Sequence, residues 1–414
     1  MIDPVPASYN PHDYVIPPKY MTTEALLPAD ADNATMIGRV QMPGVGPCVV
    51  TVRSSDVFDI TDEYESVSGL CEEPDPLAAI QRASGIRIAT VQEILNNTPV
   101  NIRDESKPYL LTPIDAQPIM AAGVTFVESL MGRLIEERAR GQASKEEEVR
   151  AWMMKVVSNI QTITGGIPLE KTVPGTETAI KVLDYLINEE GLSHHYLNVG
   201  YGELAEIFTK AHSFNSIGTH EPAGYHWLDP WTNPEPEGAV VINSRGEEVG
   251  AVLSEDMNGR KIEGSSALLV SYMKNTNRSC VIGPFIRLYD EHFTPEAFRK
   301  MDIHLEISDP DGATVLADTS YSISQYSRNV SDVVRQLFEN FPIPSGAVLS
   351  LGTGLSLKNF TFKKSQVVHF SSRELGAITH PVGQSNELPR NTYGIREFAA
   401  DMAARNLARI KRDS

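Results

Sequence analysis

The sequence predicts an α+β chain, with strand-rich segments on both sides of one helical block. Three observations carry that prediction. Short apolar or alternating runs broken by turn residues occupy residues 25–112 and return from about Ile207 onward. Apolar residues at helical spacing fill much of the stretch between them. At 414 residues the chain can bury a large core and divide into two domains.

Residues 1–24 carry Pro4, Pro6, Pro11, Pro17 and Pro18 and read as an irregular arm suited to packing on a neighbour. Residues 25–112 read as a small α/β domain. Thr35 to Val40 and Val49 to Arg53 are its clearest strands, and Asp56 to Thr61 continues the pattern. Asp75, just before Pro76-Leu77, is placed to cap a short helix. The loop-like segments Asn97-Thr98-Pro99 and Pro108 to Pro118 mark the boundary to a larger domain, 113–414. Leu130, Leu134 and Ile135 form an apolar stripe on its first helix. Ser144 with Glu147 has capping-box spacing for a helix over about 145–163, stopped by Gly165-Gly166. Glu177 to Asn188 is a third helix, ended near Gly191. This helical insert, about 141–200, is expected beside the functional site as a cover or as an oligomer surface.

Beyond it, Ile303 to Ile307 and Ala313 to Asp318 form a hairpin across Pro310-Asp311-Gly312. Val367 to Phe370 and Ala377 to Pro381 form another. Val330 to Phe338 is an amphipathic helix, and Arg396 to Ile410 a terminal one. The basic end of that last helix (Arg405, Arg409, Lys411, Arg412) opposes the helix dipole and does not read as a nucleic-acid patch.

Composition excludes several classes. The chain has 54 acidic and 36 basic residues, a formal charge of −18. That argues against a nucleic-acid backbone or an anionic membrane as partner. A small anionic substrate stays compatible, because local Arg and Lys can override the global field. Cys48, Cys71 and Cys280 are far apart and form no CxxC, so buried free thiols are expected. No apolar run approaches ~18 residues, and no basic start with an apolar stretch opens the chain, so a cytoplasmic protein is the expectation.

The sharpest chemical signal is Glu235-Pro236-Glu237 followed by Asp256, 19 residues beyond Glu237. Residues two apart on a strand share a face. Between them Ala239 to Ile242 and Val249 to Leu253 flank Asn243-Ser244-Arg245-Gly246-Glu247, a hairpin pattern. If Arg245-Gly246 is the loop, Asp256 falls opposite Glu235; if Gly246-Glu247 is the loop, it falls opposite Glu237. Both registers put all three carboxylates on one face. Like charges so placed repel unless a cation joins them. Oxygen-only ligands suit Mg²⁺, with Mn²⁺ or Ca²⁺ as substitutes. The alternative is a solvated hairpin end.

The flanking sequence adds Glu206-Ile207-Phe208-Thr209-Lys210 ahead of the trio and Arg260 four residues after Asp256. Lys274 lies ahead of Cys280-Val281-Ile282-Gly283-Pro284, and Leu351-Gly352-Thr353-Gly354 comes late. This ordered set, from about Ala121 to Val382, resembles the fumarylacetoacetate hydrolase superfamily. The short gap before Asp256, with Lys274 18 residues beyond it, is similar to the 2-keto-3-deoxy-D-arabinonate dehydratase-like branch.

The resemblance implies a mixed, rolled β-structure in the catalytic domain, with Mg²⁺ on Glu235, Glu237 and Asp256. It implies a lyase acting on a 2-keto-3-deoxy sugar acid of pentonate type. A metal-stabilised enolate would expel the C4 hydroxyl. A second loss of water across C4–C5, or its tautomeric equivalent, would then give a 2-oxo acid semialdehyde. The family's alternatives are hydrolysis of a β-diketo acid at a C–C bond and decarboxylation of an oxaloacetate-type acid. Outside catalysis the alternative is a sugar-acid-binding protein. The family's assemblies imply a homodimer or homotetramer.

Lys274 and Glu206 are the acid/base candidates. A partly desolvated Lys274 is expected to have a lowered pKa, though a salt bridge to the carboxylates is its other reading. Glu206, Phe208 and Lys210 share a strand face by parity. Lys210 would bind a substrate group or hold the metal carboxylates. Arg260 would clamp a carboxylate or partner Asp256 or Glu263. Thr353, between two glycines, would bind a carboxylate or mark a turn. Ser129 and Arg133 lie one helical turn apart and can face one cleft. His212, His220 and His226 lack zinc spacing, and His220 could contact substrate. Hydrolytic members use a His-Glu pair on a lid. No such pair is legible here, which favours dehydration.

Overall fold

The structure is a computed structural model. It describes residues 4–123, 125–139, 143–192, 194–357 and 359–413, leaving aside the side chains of 128, 129, 136, 137, 139, 143, 144, 146, 194 and 406–413. Among the described residues sixteen strands follow in order. The first eight are β1 (Met36–Met42), β2 (Gly46–Arg53), β3 (Asp56–Asp59), β4 (Ile86–Thr90), β5 (Tyr109–Leu110), β6 (Ile119–Gly123), β7 (Glu206–Ala211) and β8 (Ala223–Tyr225). The rest are β9 (Thr232–Ile242), β10 (Glu248–Gly259), β11 (Cys280–Leu288), β12 (Asp302–Ser308), β13 (Val315–Ser322), β14 (Ala347–Ser350), β15 (Val367–Ser372) and β16 (Gly376–Gln384). An eleven-stranded mixed sheet runs β4-β3-β2-β1-β11-β10-β9-β14-β6-β7, with β5 beside β1. A five-stranded sheet runs β13-β12-β15-β16-β8. The strands of residues 25–112 thus join the larger sheet through the β1–β11 pairing.

β9 and β10 are the longest pair and lie near the centre. Their apolar positions are buried on both faces, which is why the sequence there is nearly continuous in Ala, Val, Ile and Leu. Val240, Ile242, Ala251 and Leu253 point toward the second sheet and pack with Ile303, Phe370 and Ile378. Ala239, Val241 and Val252 point the other way and pack with Val67, Leu70 and Ile80 of two short helices. The helix from Pro76 is capped as expected, with the Asp75 carboxylate accepting from Ala78 N at 2.9 Å.

The β9–β10 turn differs in detail from both sequence registers. Asn243 N donates to Glu247 O at 3.0 Å, which leaves a three-residue loop, Ser244 to Gly246. The Asn243 side chain accepts from the amides of Arg245 and Glu247, both at 3.0 Å. A bulge between Glu248 and Gly250 then restores the pairing of Asp256 with Glu235. The register of the first reading is reached by a longer loop plus one extra residue.

The helical block comprises Val127–Ala139, Ala143–Ile163, Glu177–Asp184 with a π-turn over Tyr185–Glu189, and His194–Tyr201. It has its own apolar core, in which the expected stripe of Leu130, Leu134 and Ile135 meets Met153, Val156 and Ile160. Gly165 and Gly166 stop the long helix at positive φ. The Ser144 side chain, half of the expected capping box, lies outside the described residues. The N-terminal arm packs on its own chain: Tyr20 stacks on His369 at 4.2 Å and donates to Glu306 at 2.6 Å. All three cysteines are buried free thiols. Among the described residues no helix is long and apolar enough to cross a membrane.

Gly246 sits at φ +78°, and a Cβ there would meet only ordinary contact with Phe338 at 3.6 Å. Replacement is therefore expected to cost backbone strain alone. Gly246→Val should lower the unfolding free energy by about 1–2 kcal/mol and Gly246→Asn by less, read from urea titration.

Candidate active site

Seven elements converge at one end of the β9–β10 pair. β9 supplies Glu235 and Glu237, and β10 supplies Asp256. One oxygen from each lies within 4.8 Å of the others. β7 supplies Glu206 and Lys210. The helices Arg260–Ser265 and Val270–Lys274 supply Arg260, Glu263 and Lys274. The turn after β14 supplies Gly352 and Thr353, and the helix Val127–Ala139 supplies Arg133. They line a cavity of about 110 Å³, of a size for a small molecule.

Glu237 and Asp256 are buried and Glu235 is part-buried, and cations and amides meet all three. Lys210 Nζ bonds Glu237 Oε1 at 2.8 Å and forms an ion pair with Asp256 Oδ2. Lys274 Nζ donates to Glu235 Oε2 and, at 2.5 Å, to Asp256 Oδ1. Asn258 Nδ2 donates to Glu235 Oε1 at 2.7 Å, and Gly352 N to Glu237 Oε2 at 3.0 Å. Gly352 sits at φ +87°, and a Cβ there would press on Thr125 Oγ1 at 2.8 Å, so glycine is required for that amide to approach. Asp256 is buried, with Lys210 on Oδ2 and Lys274 on Oδ1. Three converging carboxylates match the donor set of a hard divalent cation.

Burial pushes the Glu237 carboxyl up to about 7, with Asp256 and Glu235 adding to the shift and Lys210 opposing it. Burial would also raise Asp256, but the charges of Lys210 and Lys274 hold it below its ordinary value. Glu206 is raised by burial against the pull of Arg133 and Lys274. Lys274 corrects the sequence expectation. Burial alone would lower it, but Asp256, Glu235 and Glu263 hold the ammonium well above its ordinary value.

The other expected residues divide. Thr353 lines the cavity, and its Oγ1 accepts from Leu355 N at 3.2 Å. Arg260 lines the cavity, lies over the Trp231 ring at 5.2 Å and donates to Ser356 Oγ at 2.9 Å. Arg133 lines it too and pairs with Glu263 at 3.2 Å. The Ser129 side chain lies outside the described residues. His220 is buried without lining the cavity. Burial pushes it down to about 3, and its amide bonds Thr379 O of β16. The described residues do hold a His-Glu pair, Glu255 with His380, but both are buried on the opposite face of β10 and neither lines the cavity.

Sequence reading missed Asn258 and assigned Glu263 only as an Arg260 partner. Asn258 was reachable by the parity that joined Glu235 to Glu237, since it lies two residues beyond Asp256. Glu263 is buried, accepts from Gly259 N at 3.2 Å and lies 3.4 Å from Lys274 Nζ.

Two predictions follow from the buried charges. Asp256→Asn removes the anion shared by both ammoniums and is expected to cost about 3–5 kcal/mol of stability in chelator-treated protein, read by denaturant titration. Glu237 and Glu263 both titrate near 7 against an ordinary 4.5. A raised acid leaves stability complete below about pH 4.5 and withdraws it as pH rises through about 7. The buried imidazoles of His220 and His369, held down to about 3 and about 4, act in the opposite sense up to the ordinary 6.5, so the test is a difference. Metal-free wild type should lose more melting temperature across that window than metal-free Glu263→Gln, and equal slopes would contradict it.

No family model matches the chain. It is 28% identical over 184 residues to the 2-dehydro-3-deoxy-D-arabinonate dehydratase of Saccharolobus solfataricus, covering 44% of this chain and 60% of that protein. It is 28% identical over 199 residues to the probable 2-keto-3-deoxyxylonate dehydratase of Haloferax volcanii, covering 47% and 65%. The chain thus spans less than two thirds of the length of these curated relatives. Among solved structures it is similar to 2-keto-3-deoxy-D-arabinonate dehydratase complexed with magnesium and 2,5-dioxopentanoate. The TM-score is 0.59 at 19% identity, over 84% of this chain and 99% of that one. The fold read from the sequence resemblance is the fold of that structure.

Proposed function

We propose that this chain is a Mg²⁺-dependent hydro-lyase that converts a 2-keto-3-deoxy sugar acid of pentonate type into a 2-oxo acid semialdehyde. The observation that carries the reading is the convergence of Glu235, Glu237 and Asp256 in one cavity beside Lys274 and Glu206. The relatives' names and the product-like 2,5-dioxopentanoate in the similar structure support the substrate class. In this reading Glu235, Glu237 and Asp256 hold the ion. When bound, Mg²⁺ supplies a Lewis acid for the carboxylate and C2 carbonyl of a 2-keto acid and favours loss of a C3 proton.

The chain's own groups then manage protons. Glu206 and Lys274 act as a pair, one taking the C3 proton and the other protonating the leaving C4 hydroxyl. Proton shifts across C4–C5 turn the C5 carbinol into the aldehyde, which is the tautomeric route. A second loss of water would leave too little hydrogen and oxygen for a semialdehyde, so the net change is loss of one water. Lys210 keeps Glu237 and Asp256 aimed into the cavity. Arg260 and Thr353, with Arg133 from the covering helix, bind the acid's polar groups. The helical block excludes water. A cytoplasmic homodimer or homotetramer completes the reading, with no nucleic-acid or membrane partner.

Incubation with Mg²⁺ and 2-keto-3-deoxy-D-arabinonate, read by mass spectrometry, tests it. The expected result is loss of one water, abolished by EDTA and by Glu237→Ala. Glu206→Gln and Lys274→Met should each lower kcat by about 10²-fold or more. Cleavage of an acylpyruvate offered in parallel, with the sugar acid untouched, would assign a hydrolase instead.

A further inference from the structure

We infer that Glu263 is a positioning residue that receives the Lys274 ammonium when a divalent cation occupies Glu235, Glu237 and Asp256. The inference rests on the metal reading above and adds to it a change of partners. Lys274 Nζ is enclosed by three buried or part-buried carboxylates. Two of them, Glu235 and Asp256, belong to the converging trio, and Lys274 occupies one oxygen of each. The third, Glu263, stands outside the trio at 3.4 Å. Its carboxylate is fixed from two sides, by Gly259 N at 3.2 Å on Oε1 and by Arg133 Nη2 at 3.2 Å on Oε2.

An ammonium and a dication cannot share the same oxygens without strong repulsion. Lys274 must therefore yield those oxygens or keep the ion out. Yielding into a buried space without an anion is costly. Glu263 removes that cost, since closing 3.4 Å to a charge-assisted bond of about 2.8 Å needs only a small shift of the side-chain end. Lys210 has no comparable retreat: among the described residues its carboxylate partners, Glu237 and Asp256, both belong to the trio. The two lysines thus play different parts, Lys210 staying with the ligands and Lys274 moving to Glu263. The exchange keeps Lys274 within the cavity and frees the oxygens it covered.

The test is Mn²⁺ binding to metal-free protein by calorimetry, with no substrate present. Glu263→Gln should weaken binding at least about tenfold, because Lys274 then competes for the trio. In a Lys274→Met background the same substitution should change affinity less than about twofold. A purely through-space effect of the Glu263 charge would persist in that background, so an undiminished loss there would overturn the exchange. Equal affinity in wild type and Glu263→Gln would overturn it too, while leaving the metal reading intact. Wild-type protein that binds no Mn²⁺ would overturn both. Should Glu263→Gln fail to fold, Glu263→Asp carries the test, with intermediate weakening expected and wild-type affinity as the contrary result.

Discussion

The register between β9 and β10 is the constraint on which the site depends. A slip of one residue would turn Glu235 and Glu237 toward the second sheet and their apolar neighbours toward the wrong core. Both faces are buried, so such a slip would lose apolar packing on two sides at once. The turn enforces the register locally. Asn243 holds two loop amides, Gly246 takes the left-handed position, and the bulge after Glu248 brings Asp256 opposite Glu235. Geometry set far from the chemistry thus decides whether three carboxylates meet.

The second requirement is compensation of charge. Three acids at close range in a buried site would neutralise themselves by taking up protons if nothing opposed it. Lys210 and Lys274 oppose it, and Asp256, touching both, stays ionised most readily. Among the described residues Glu237 meets one ammonium and a backbone amide, and its carboxyl is raised by burial. The site is thus left short of one positive charge, on the oxygens that face the cavity.

Much of this was legible before any coordinates. Parity along a strand was enough to group Glu235, Glu237 and Asp256, and the hairpin pattern narrowed the pairing to two registers, one of which occurs. The helical block was readable from the spacing of Leu130, Leu134 and Ile135. What was not legible is long-range. Nothing in local periodicity says that β1 pairs with β11, which joins residues 25–112 to the larger sheet. The direction of the Lys274 shift failed for a similar reason. Its burial could be guessed, but the number of anions around it depends on how the helix that bears it docks, and Glu263 comes from a separate helix.

Successive residues of β10 fasten it on opposite sides. Asp256 is held by two ammoniums on the cavity face, while Glu255 is held by His380 of the second sheet on the other. A roll of the strand that carried Asp256 toward a ligand would pull Glu255 off its imidazole, so the strand cannot rotate to accommodate what enters. Adjustment has to come from the opposite wall, where Arg133, Glu263 and Lys274 sit on short or surface helices. The cavity has one wall of β-sheet fastened on both of its faces and one wall of helices, so variation in ligand size would be taken up on the helical side.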